Sequence, residues 1–430
     1  MLSRLLAFGR DDFLRHNAVF FLGSFAVAAL NYLYHPVLSR MMSVAHFGEV
    51  QALLSVFTMA NVMQPVFSMA TLNVFANHNK ERQKEFRQLY TIAFLGTVGI
   101  AILLAGTAPL LAKAFRLDST VSIFVVAALL PISMVAMFGN ANLQARKKFG
   151  AVATANMLSA GGKLVFAAFF VWLGFATIGA IAGLFVAGIL TLWYITFRNR
   201  DSIAFSLQRV RWTNALQSEF NYCILILLMI GTTTFLFTAD VIIVKYLFSA
   251  EIAGSYGGIS TVAKIIYFAA GSVPAVLLPH VQLHASRLQN ERLLLKALGL
   301  TMILGGAAFA VIAVAPALVT RLLIGEQYLT LVTLLPPLAV QIFLLCFINI
   351  FLSYSIALHQ KSVIFFCLLG LCLSVSFIIP FHGSPGHIVY SLLITNAVVL
   401  IALLCRHRST LLRYTYDSPS QRPAARLSAG

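Results

Sequence analysis

The sequence has little charge. Only 10% of its 430 residues are Asp, Glu, Lys or Arg, whereas 60% are hydrophobic. Soluble domains typically contain about 25% charged residues, which keep their surface hydrated. The composition therefore excludes a water-soluble globular protein and indicates a chain that lies in a lipid bilayer.

The sequence also lacks the motifs of common enzyme classes. It has no Gly-rich phosphate loop, no nucleophile elbow and no dinucleotide fingerprint, so we expect no cofactor and no ATPase within the chain. The Cys residues all fall in apolar runs without metal-ligand spacing, so we predict small buried hydrophobic side chains and no metal or disulfide. They are Cys223, Cys346, Cys367, Cys372 and Cys405.

Long apolar runs are the most abundant feature of the chain. A helix that crosses the hydrocarbon core needs roughly 20 apolar residues, and about twelve runs reach that length. We therefore predict an all-α membrane protein. The predicted spans are 17–37, 48–76, 88–112, 120–143, 149–172, 177–197, 219–247, 254–283, 295–319, 329–357, 362–380 and 386–405.

The distribution of basic residues indicates the membrane topology. If the N-terminus is cytoplasmic, 23 of the 30 Lys and Arg residues fall in cytoplasmic loops, five on the opposite side and two inside predicted spans. This asymmetry favours an even number of spans with both termini in the cytoplasm of a bacterial inner membrane. Nucleic-acid binding is a weaker explanation of the net charge of +17, because no soluble basic domain exists to carry it.

The chain contains an internal repeat. LSRMMSVAHFGEVQALLSV lies near the end of the first span, and IVKYLFSAEIAGSYGGIST begins near the end of the seventh. In each, a basic residue (Arg40 or Lys245) precedes a short external loop and a Gly that enters the next span. Parallel repeats are a recurrent transporter architecture with the substrate site between the halves. We therefore predict two six-helix lobes around a central cavity, with a lobe over 1–197, a linker over 198–213, a lobe over 214–405 and a basic disordered tail over 406–430.

The same residues resemble a known family. The segment ADVIIVKYLFSAEIAGSYGGISTVAKIIYF, followed by VPAVLLPH, covers Ala239 to His280 and is similar to the oligosaccharide flippase (Wzx-like) branch of the multidrug/oligosaccharidyl-lipid/polysaccharide exporter superfamily. The resemblance implies twelve to fourteen helices in two lobes, an alternating-access cavity and export of polyprenyl-diphosphate-linked sugar repeat units. The shorter, twelve-span form fits the polysaccharide branch better than the fourteen-span lipid II flippases.

Polar residues recur at helical spacing in several spans. In the second span they are three or four residues apart, which places them on one helix face that lipid would not accept. We expect this face to line a cavity, although small polar groups also join helices to one another in membranes. The expected cavity-lining residues are Asn31, Gln51, Ser55, Thr58, Asn61, Gln64, Ser68, Ser260 and Tyr267.

Lys264 and Lys163 lie deep inside predicted spans. An intramembrane charge costs at least about 2.5 kcal/mol, so such a Lys usually faces a cavity, finds a partner or marks a substrate path. We expect both ammonium groups to bind a lipid diphosphate; the alternative for Lys264 is an ion pair with Asp240, which is also a candidate for ion coupling. Arg40 and Lys245 are placed at the outer mouth, where snorkelling to the interface is the expected role.

These features favour a flippase that translocates lipid-linked oligosaccharide repeat units for exopolysaccharide, capsule or O-antigen assembly. An ion-coupled multidrug exporter of the same superfamily is the alternative, kept open by Asp240. A membrane polysaccharide polymerase or glycosyltransferase is less favoured, because no external loop exceeds about 15 residues to carry catalytic carboxylates. The expected partners are the lipid-linked oligosaccharide and membrane lipids, with polysaccharide polymerase and export machinery as further candidates; no nucleic acid is expected.

Overall fold

The computed structural model describes residues 12–68, 80–146, 148–200, 209–271, 273–274, 277, 281 and 287–416. Helices dominate these ranges. They are α1 (Asp12–Met41), α2 (Val44–Ala60), α3 (Lys80–Gly106), α4 (Ala108–Ala114), α5 (Val121–Ala145), α6 (Phe149–Trp172), α7 (Ala176–Arg198), α8 (Asn214–Leu247), α9 (Ala250–Ala263), α10 (Ile265–Ala270), α11 (Arg287–Val314), α12 (Pro316–Leu323), a 3-10 segment (Glu326–Leu334), α13 (Leu335–Ala357), α14 (Ser362–Ile378) and α15 (Pro385–Tyr416).

The helices follow the predicted spans closely. Helix α6 has the predicted bounds 149–172, and α5, α7 and α14 begin and end within two residues of theirs. Within the described ranges, eight helices are long and apolar enough to cross a membrane, and two shorter apolar helices, α2 and α14, accompany them. The chain is therefore a multi-pass membrane protein.

The second predicted span, 48–76, is not one continuous helix. Helix α2 ends at Ala60 with Asn61 as its C-cap, and the chain is helical again over 63–68. Pro65 explains the break, because it has no N–H for the carbonyl of Asn61 and its ring clashes with that carbonyl. The predicted polar face therefore changes direction at Asn61, and the rest of this span, 69–79, lies outside the described residues.

The last helix is longer than predicted. Helix α15 continues to Tyr416, so residues 406–416 are helical rather than disordered. Residues 417–430, and residues 201–208 of the predicted linker, lie outside the described ranges. Two cysteines also differ from expectation: among the described residues, nothing covers the helix faces that carry Cys372 and Cys405, so both are exposed, whereas the other three are buried.

The chain forms two compact units. The first contains the described residues up to Thr234 together with Val241–Gly258 and Thr320–Leu331; the second contains Phe235–Asp240, Ile259–Val319 and the described residues from Val332 onward. Both units take residues from α8 and α9. The lobe boundaries at 197 and 214 remain a prediction.

Small residues allow close helix packing in the first unit. A Cβ on Gly183 would meet the backbone of Ala167, and one on Gly179 would lie 2.9 Å from the Phe170 carbonyl carbon. Helices α6 and α7 thus form a tight antiparallel pair. In a bilayer, where lipid is as apolar as Leu, such close approach supplies the packing that holds helices together.

Buried amide groups link the helices of the second unit. Gln341 on α13 donates a hydrogen bond from Nε2 to the Leu236 carbonyl at 3.1 Å, and Asn396 on α15 donates from Nδ2 to the Gln341 carbonyl at 3.0 Å. Both amide side chains are almost fully buried. These bonds join α8, α13 and α15 around the part of α8 that carries Asp240.

Candidate functional site

Lys163 lies near the middle of α6, about 21 Å from its first residue at 1.5 Å per residue. Its ammonium donates a hydrogen bond to the Asn31 Oδ1 atom at 2.7 Å and lies 4.8 Å from the centre of the Tyr34 ring. Lys163 is half-buried, Asn31 is exposed and Tyr34 is fully buried. In the described part of the chain no carboxylate pairs with Lys163. This cluster in the first unit therefore keeps a net positive charge.

Lys264 forms a second cluster, in the second unit, with a different electrostatic balance. Its Nζ atom lies 3.5 Å from the Asp240 Oδ1 atom and 4.9 Å from the centre of the Phe237 ring. Ser260 donates a hydrogen bond to the other Asp240 oxygen at 2.7 Å. Only 8% of Lys264 and 2% of Asp240 are exposed. The ammonium and the carboxylate thus compensate each other's charge.

Tyr267 lies one turn beyond Lys264. Its hydroxyl accepts a hydrogen bond from the Asn349 Nδ2 atom at 3.1 Å, and its ring lies 4.7 Å from that of Phe237. Tyr267 is half-buried. The structure thus brings Lys264, Ser260 and Tyr267, three predicted site residues, together around Asp240 and Phe237.

The polar residues of the second span have several different partners. The Gln51 amide and His35 share a hydrogen bond of 2.9 Å, whereas Ser55 and Thr58 donate their hydroxyls to carbonyls of their own helix. Such internal bonds satisfy a hydroxyl without any neighbouring helix. Thr58 is exposed, whereas Gln51 and Ser55 are buried.

At the break in this span, the side chains of Asn61 and Gln64 contact Ser133 on α5. Asn61 donates to Gln64, and Ser133 on α5 donates to the Asn61 Oδ1 atom at 3.2 Å. Gln64 in turn donates to the Ser133 carbonyl at 3.4 Å. These groups join helix to helix, the alternative role for such residues. Ser68 is half-buried at the end of the described stretch.

Lys245 does not snorkel to the interface. Only 1% of it is exposed, and its ammonium lies 3.7 Å from the Glu49 Oε1 atom. Thr177 donates a hydrogen bond to the other Glu49 oxygen at 2.9 Å. The expectation was wrong because a buried carboxylate lies within reach, and pairing with it avoids any need for Lys245 to reach water.

Sequence reasoning missed Glu49 and Thr177. Glu49 directly follows the repeat residue Gly48, and this position is the one signal for it in the sequence. Thr177 lies in an apolar run with nothing to distinguish it from a packing residue.

Arg40 is exposed, and its guanidinium also finds protein partners. It donates hydrogen bonds to the carbonyls of Leu322 and Leu323 at 2.7 and 2.9 Å, and to that of Pro36 at 3.0 Å. The first two carbonyls end helix α12, where a cation is favoured by the helix dipole. Arg40 therefore fixes a segment of the second half of the sequence to the end of α1.

No group of three or more His, Cys, Asp or Glu side chains within the described ranges is placed to hold a metal ion. The chemistry that these clusters offer is binding and exchange of charge inside membrane helices. A half-buried ammonium can bind an anion, and a buried ion pair can open when one of its members changes partner. Together, the apolar helices and the Lys residues within them define a multi-pass membrane protein with cationic side chains inside its membrane-spanning segments.

Solved structures of transporters share this fold. A lipid II flippase, MurJ, in an inward closed conformation is 12% identical with a TM-score of 0.70, and the match covers 93% of each chain. The multidrug transporter DinF-BH of the MATE family is 12% identical with a TM-score of 0.68, over 92% of this chain and 95% of that one. A eukaryotic MATE transporter, AtDTX14, is 16% identical with a TM-score of 0.59, over 94% and 100%.

These likenesses confirm the predicted fold class, an all-α membrane protein with about twelve helices in two lobes. The chain belongs to the family of polysaccharide biosynthesis proteins, whose model matches residues 37–333. This membership agrees with the resemblance of its sequence motifs to the polysaccharide branch of the multidrug/oligosaccharidyl-lipid/polysaccharide exporter superfamily. No curated protein matches the sequence.

Proposed function

We propose that this protein is a flippase that moves polyprenyl-diphosphate-linked oligosaccharide repeat units across the bacterial inner membrane by alternating access, with both termini in the cytoplasm. The product would feed exopolysaccharide, capsule or O-antigen assembly, with polysaccharide polymerase and export machinery as downstream partners. The polysaccharide family and the transporter fold support this class of function.

The observation that carries the proposal is the uncompensated cation of Lys163. A diphosphate headgroup is anionic and must cross a region of low dielectric constant, where a fixed ammonium stabilises it as a point charge. Lys163 and Asn31 offer an ammonium and a carboxamide at mid-depth, and neither is covered completely by protein. Acyl chains would leave these groups unsolvated at a large cost, so a polar surrounding is favoured.

Lys264 has a different part in the proposal. Its ammonium already has Asp240 as a partner, so an arriving diphosphate must displace that carboxylate. Because the diphosphate must compete with this carboxylate, Lys264 should bind the headgroup more weakly than an unpaired ammonium would. Weaker binding favours release of the headgroup. In this proposal the sugar portion contacts polar side chains that were predicted to line a cavity and that are exposed in the first unit, such as Asn31 and Thr58.

Genetic complementation tests this function. A strain that lacks the gene should accumulate polyprenyl-linked oligosaccharide and lose surface polysaccharide, and the wild-type gene should reverse both. Lys163→Met should fail to reverse them at normal membrane abundance, and Lys163→Arg should do so in part because it keeps the charge. Lys148→Met is a matched control, since Lys148 is an exposed cation at the start of the same helix.

Two outcomes would overturn the proposal. One is full complementation by Lys163→Met, which would remove the anion-binding role of that ammonium. The other is a deletion strain whose lipid-linked oligosaccharides stay at the wild-type level, which would remove the substrate class.

An ion-coupled multidrug exporter is the second candidate function. The buried Asp240 carboxylate favours it, because such exporters trade an ion for a cationic substrate at intramembrane carboxylates. This function predicts that deletion sensitises cells to cationic drugs without accumulation of lipid-linked sugars. Asp240→Asn would then abolish resistance while Lys163→Met left it intact.

A further inference from the structure

The two copies of the internal repeat contact each other within the first unit. Helix α2 begins beside helix α9, and a Cβ on Gly48 would lie 2.6 Å from the Gly254 Cα atom. A Cβ on Gly254 would in turn meet the Val44 carbonyl. Each Gly therefore allows the other helix to approach closely. The starts of α2 and α9, which follow the loops of the two repeats, are in direct contact.

The basic residue of each repeat reaches across to the other half of the sequence. Lys245 ends helix α8 and pairs with Glu49 on α2, while Arg40 ends helix α1 and binds the last carbonyls of α12. Neither cation binds within its own repeat loop. The basic residue of each repeat thus contacts the other half of the sequence, Lys245 through a carboxylate and Arg40 through backbone carbonyls.

Further hydrogen bonds strengthen the Arg40 contact. The Ser39 carbonyl accepts hydrogen bonds from the Gln327 Nε2 atom at 2.6 Å and from the Tyr328 hydroxyl at 3.2 Å. Tyr328 also fills the space over Gly258, where a Cβ would lie 2.5 Å from its ring. The segment after α12 is therefore held against both α1 and α9.

We propose that Arg40 and Lys245 form a two-point latch: each cation fastens the first helix of one sequence half to the other half, and both contacts release when the external side opens during transport. The inference rests on the proposed function and its orientation in the membrane. It assigns to the two outer basic residues a closing role in place of an interfacial one.

The two points of the latch differ in strength. Arg40 is exposed, so water can replace its carbonyl partners at little cost. Lys245 and Glu49 are almost fully buried. If one of them is removed, the remaining charge is unpaired and strongly unfavourable in the closed state, whereas water can hydrate it once the external side opens. The Lys245–Glu49 pair therefore sets how far removal of one charge shifts the population toward the open state.

A reporter cysteine measures that population. Ser55 lies on α2 about 10 Å below Gly48, is buried, and uses its hydroxyl only within its own helix. Ser55→Cys, in a transport-competent background without the five native cysteines, should react slowly with a membrane-impermeant maleimide added to spheroplasts. Opening of the external side exposes the thiol and raises the rate.

The charge pair predicts a non-additive pattern of rates. Glu49→Gln and Lys245→Met should each raise the labelling rate about tenfold, equivalent to ~1.4 kcal/mol. The double variant leaves no unpaired buried charge, and its labelling rate should lie within about threefold of the wild-type rate. The reason is that a buried ion pair and its neutral replacement are close in free energy. Lys113→Met, an exposed external cation, is the matched control and should change nothing.

Arg40→Gln should raise the rate only about two- to threefold, as expected for an exposed contact. Arg321→Gln is its control, because Arg321 is exposed on the same external segment and pairs locally with Glu326 at 3.0 Å. Thr177→Val removes the hydrogen bond to Glu49 but leaves both charges in place, so it should also raise the labelling rate modestly. This variant keeps the test decisive even if a stranded charge prevents folding.

Two results would overturn the latch. Equal labelling in wild type and in every folded variant of Glu49, Lys245 and Thr177 would show that these contacts do not hold the external side closed. A double variant as reactive as the single ones would show that the pair is not coupled. Labelling requires no substrate, so failed complementation with the predicted labelling pattern would refute the flippase function and leave the latch standing.

Discussion

Neutralising one member of the Lys264–Asp240 pair should lower the stability of the fold far more than neutralising both. Lys264→Met removes the ammonium but leaves the Asp240 carboxylate buried without that counter-charge. The double variant Lys264→Met/Asp240→Asn removes both charges and keeps a polar oxygen for Ser260. The pair therefore offers a comparison in which similar volume is kept and only the charge balance changes.

The structure sets the size of the effect. At 3.5 Å and an effective dielectric constant of about 20, two unit charges attract by about 5 kcal/mol. Burying both charges consumes much of that attraction, but removing one partner of a buried pair typically costs about 3–5 kcal/mol. Since domains are stable by only about 5–15 kcal/mol, the single variant should lose a large fraction of its stability. The double variant should stay within about 1 kcal/mol of wild type or exceed it.

Thermal unfolding of the purified protein in lipid nanodiscs measures this difference. We expect a clearly lowered Tm for Lys264→Met and for Asp240→Asn, and a Tm near that of wild type for the double variant. Lys264→Arg keeps the charge and should fall between wild type and Lys264→Met. Complementation with the same set then separates function from folding. A stable double variant that fails to export would show that the Lys264–Asp240 pair is needed for transport itself, whereas loss of export in Lys264→Met alone would not.

The reasoning fails if the double variant is as unstable as Lys264→Met. It also fails if Lys264→Met unfolds at the wild-type temperature. The first result would mean that packing rather than charge holds this cluster, and the second that water reaches the Asp240 carboxylate.

Three further predictions concern packing and hydrogen bonding. Gly183→Ala should lower the Tm markedly because its methyl group would meet the Ala167 backbone, whereas Gly99→Ala, with open space around it, should leave the Tm unchanged or raise it. Thr177→Val should cost about 1–3 kcal/mol in unfolding free energy because Glu49 loses a buried hydrogen bond, and thermal unfolding should show a corresponding fall in Tm. Thr177→Ser keeps the hydroxyl and should unfold within about one degree of wild type, the shift that roughly 0.5 kcal/mol produces in a protein of this size.

Much of the fold could be predicted from the sequence because membrane helices are specified locally. An apolar run of bilayer length must form a helix to satisfy its backbone, and this alone fixes elements such as α5, α6 and α7. Gly179 and Gly183 lie at GxxxG spacing on α7, a sequence pattern that is typical of close helix packing in membranes. The break after Ala60 was missed although Pro65 signals it, because the apolar run continues through that position.

The partners of the charged residues could not be predicted in the same way. A sequence shows that Lys163, Lys245 and Lys264 are near or inside spans, but not which distant side chain lies opposite each. Lys264 acquires a carboxylate from α8 and Lys245 one from α2, whereas Lys163 acquires only an amide and an aromatic ring. Such pairings depend on tertiary packing of helices that are far apart in sequence, which hydrophobic patterns do not encode.

Reconstituted transport tests the central claim most directly. Purified protein in proteoliposomes would be given a fluorescent polyprenyl-diphosphate-linked oligosaccharide in the inner leaflet, and arrival of the sugar in the outer leaflet would be followed with an impermeant sugar-cleaving enzyme. The proposed function predicts rapid appearance of cleavable sugar with the wild-type protein and with Lys148→Met, and a rate close to that of protein-free liposomes with Lys163→Met. A wild-type protein that leaves the lipid-linked sugar in the inner leaflet, yet exchanges cationic drugs for ions in the same liposomes, would contradict it.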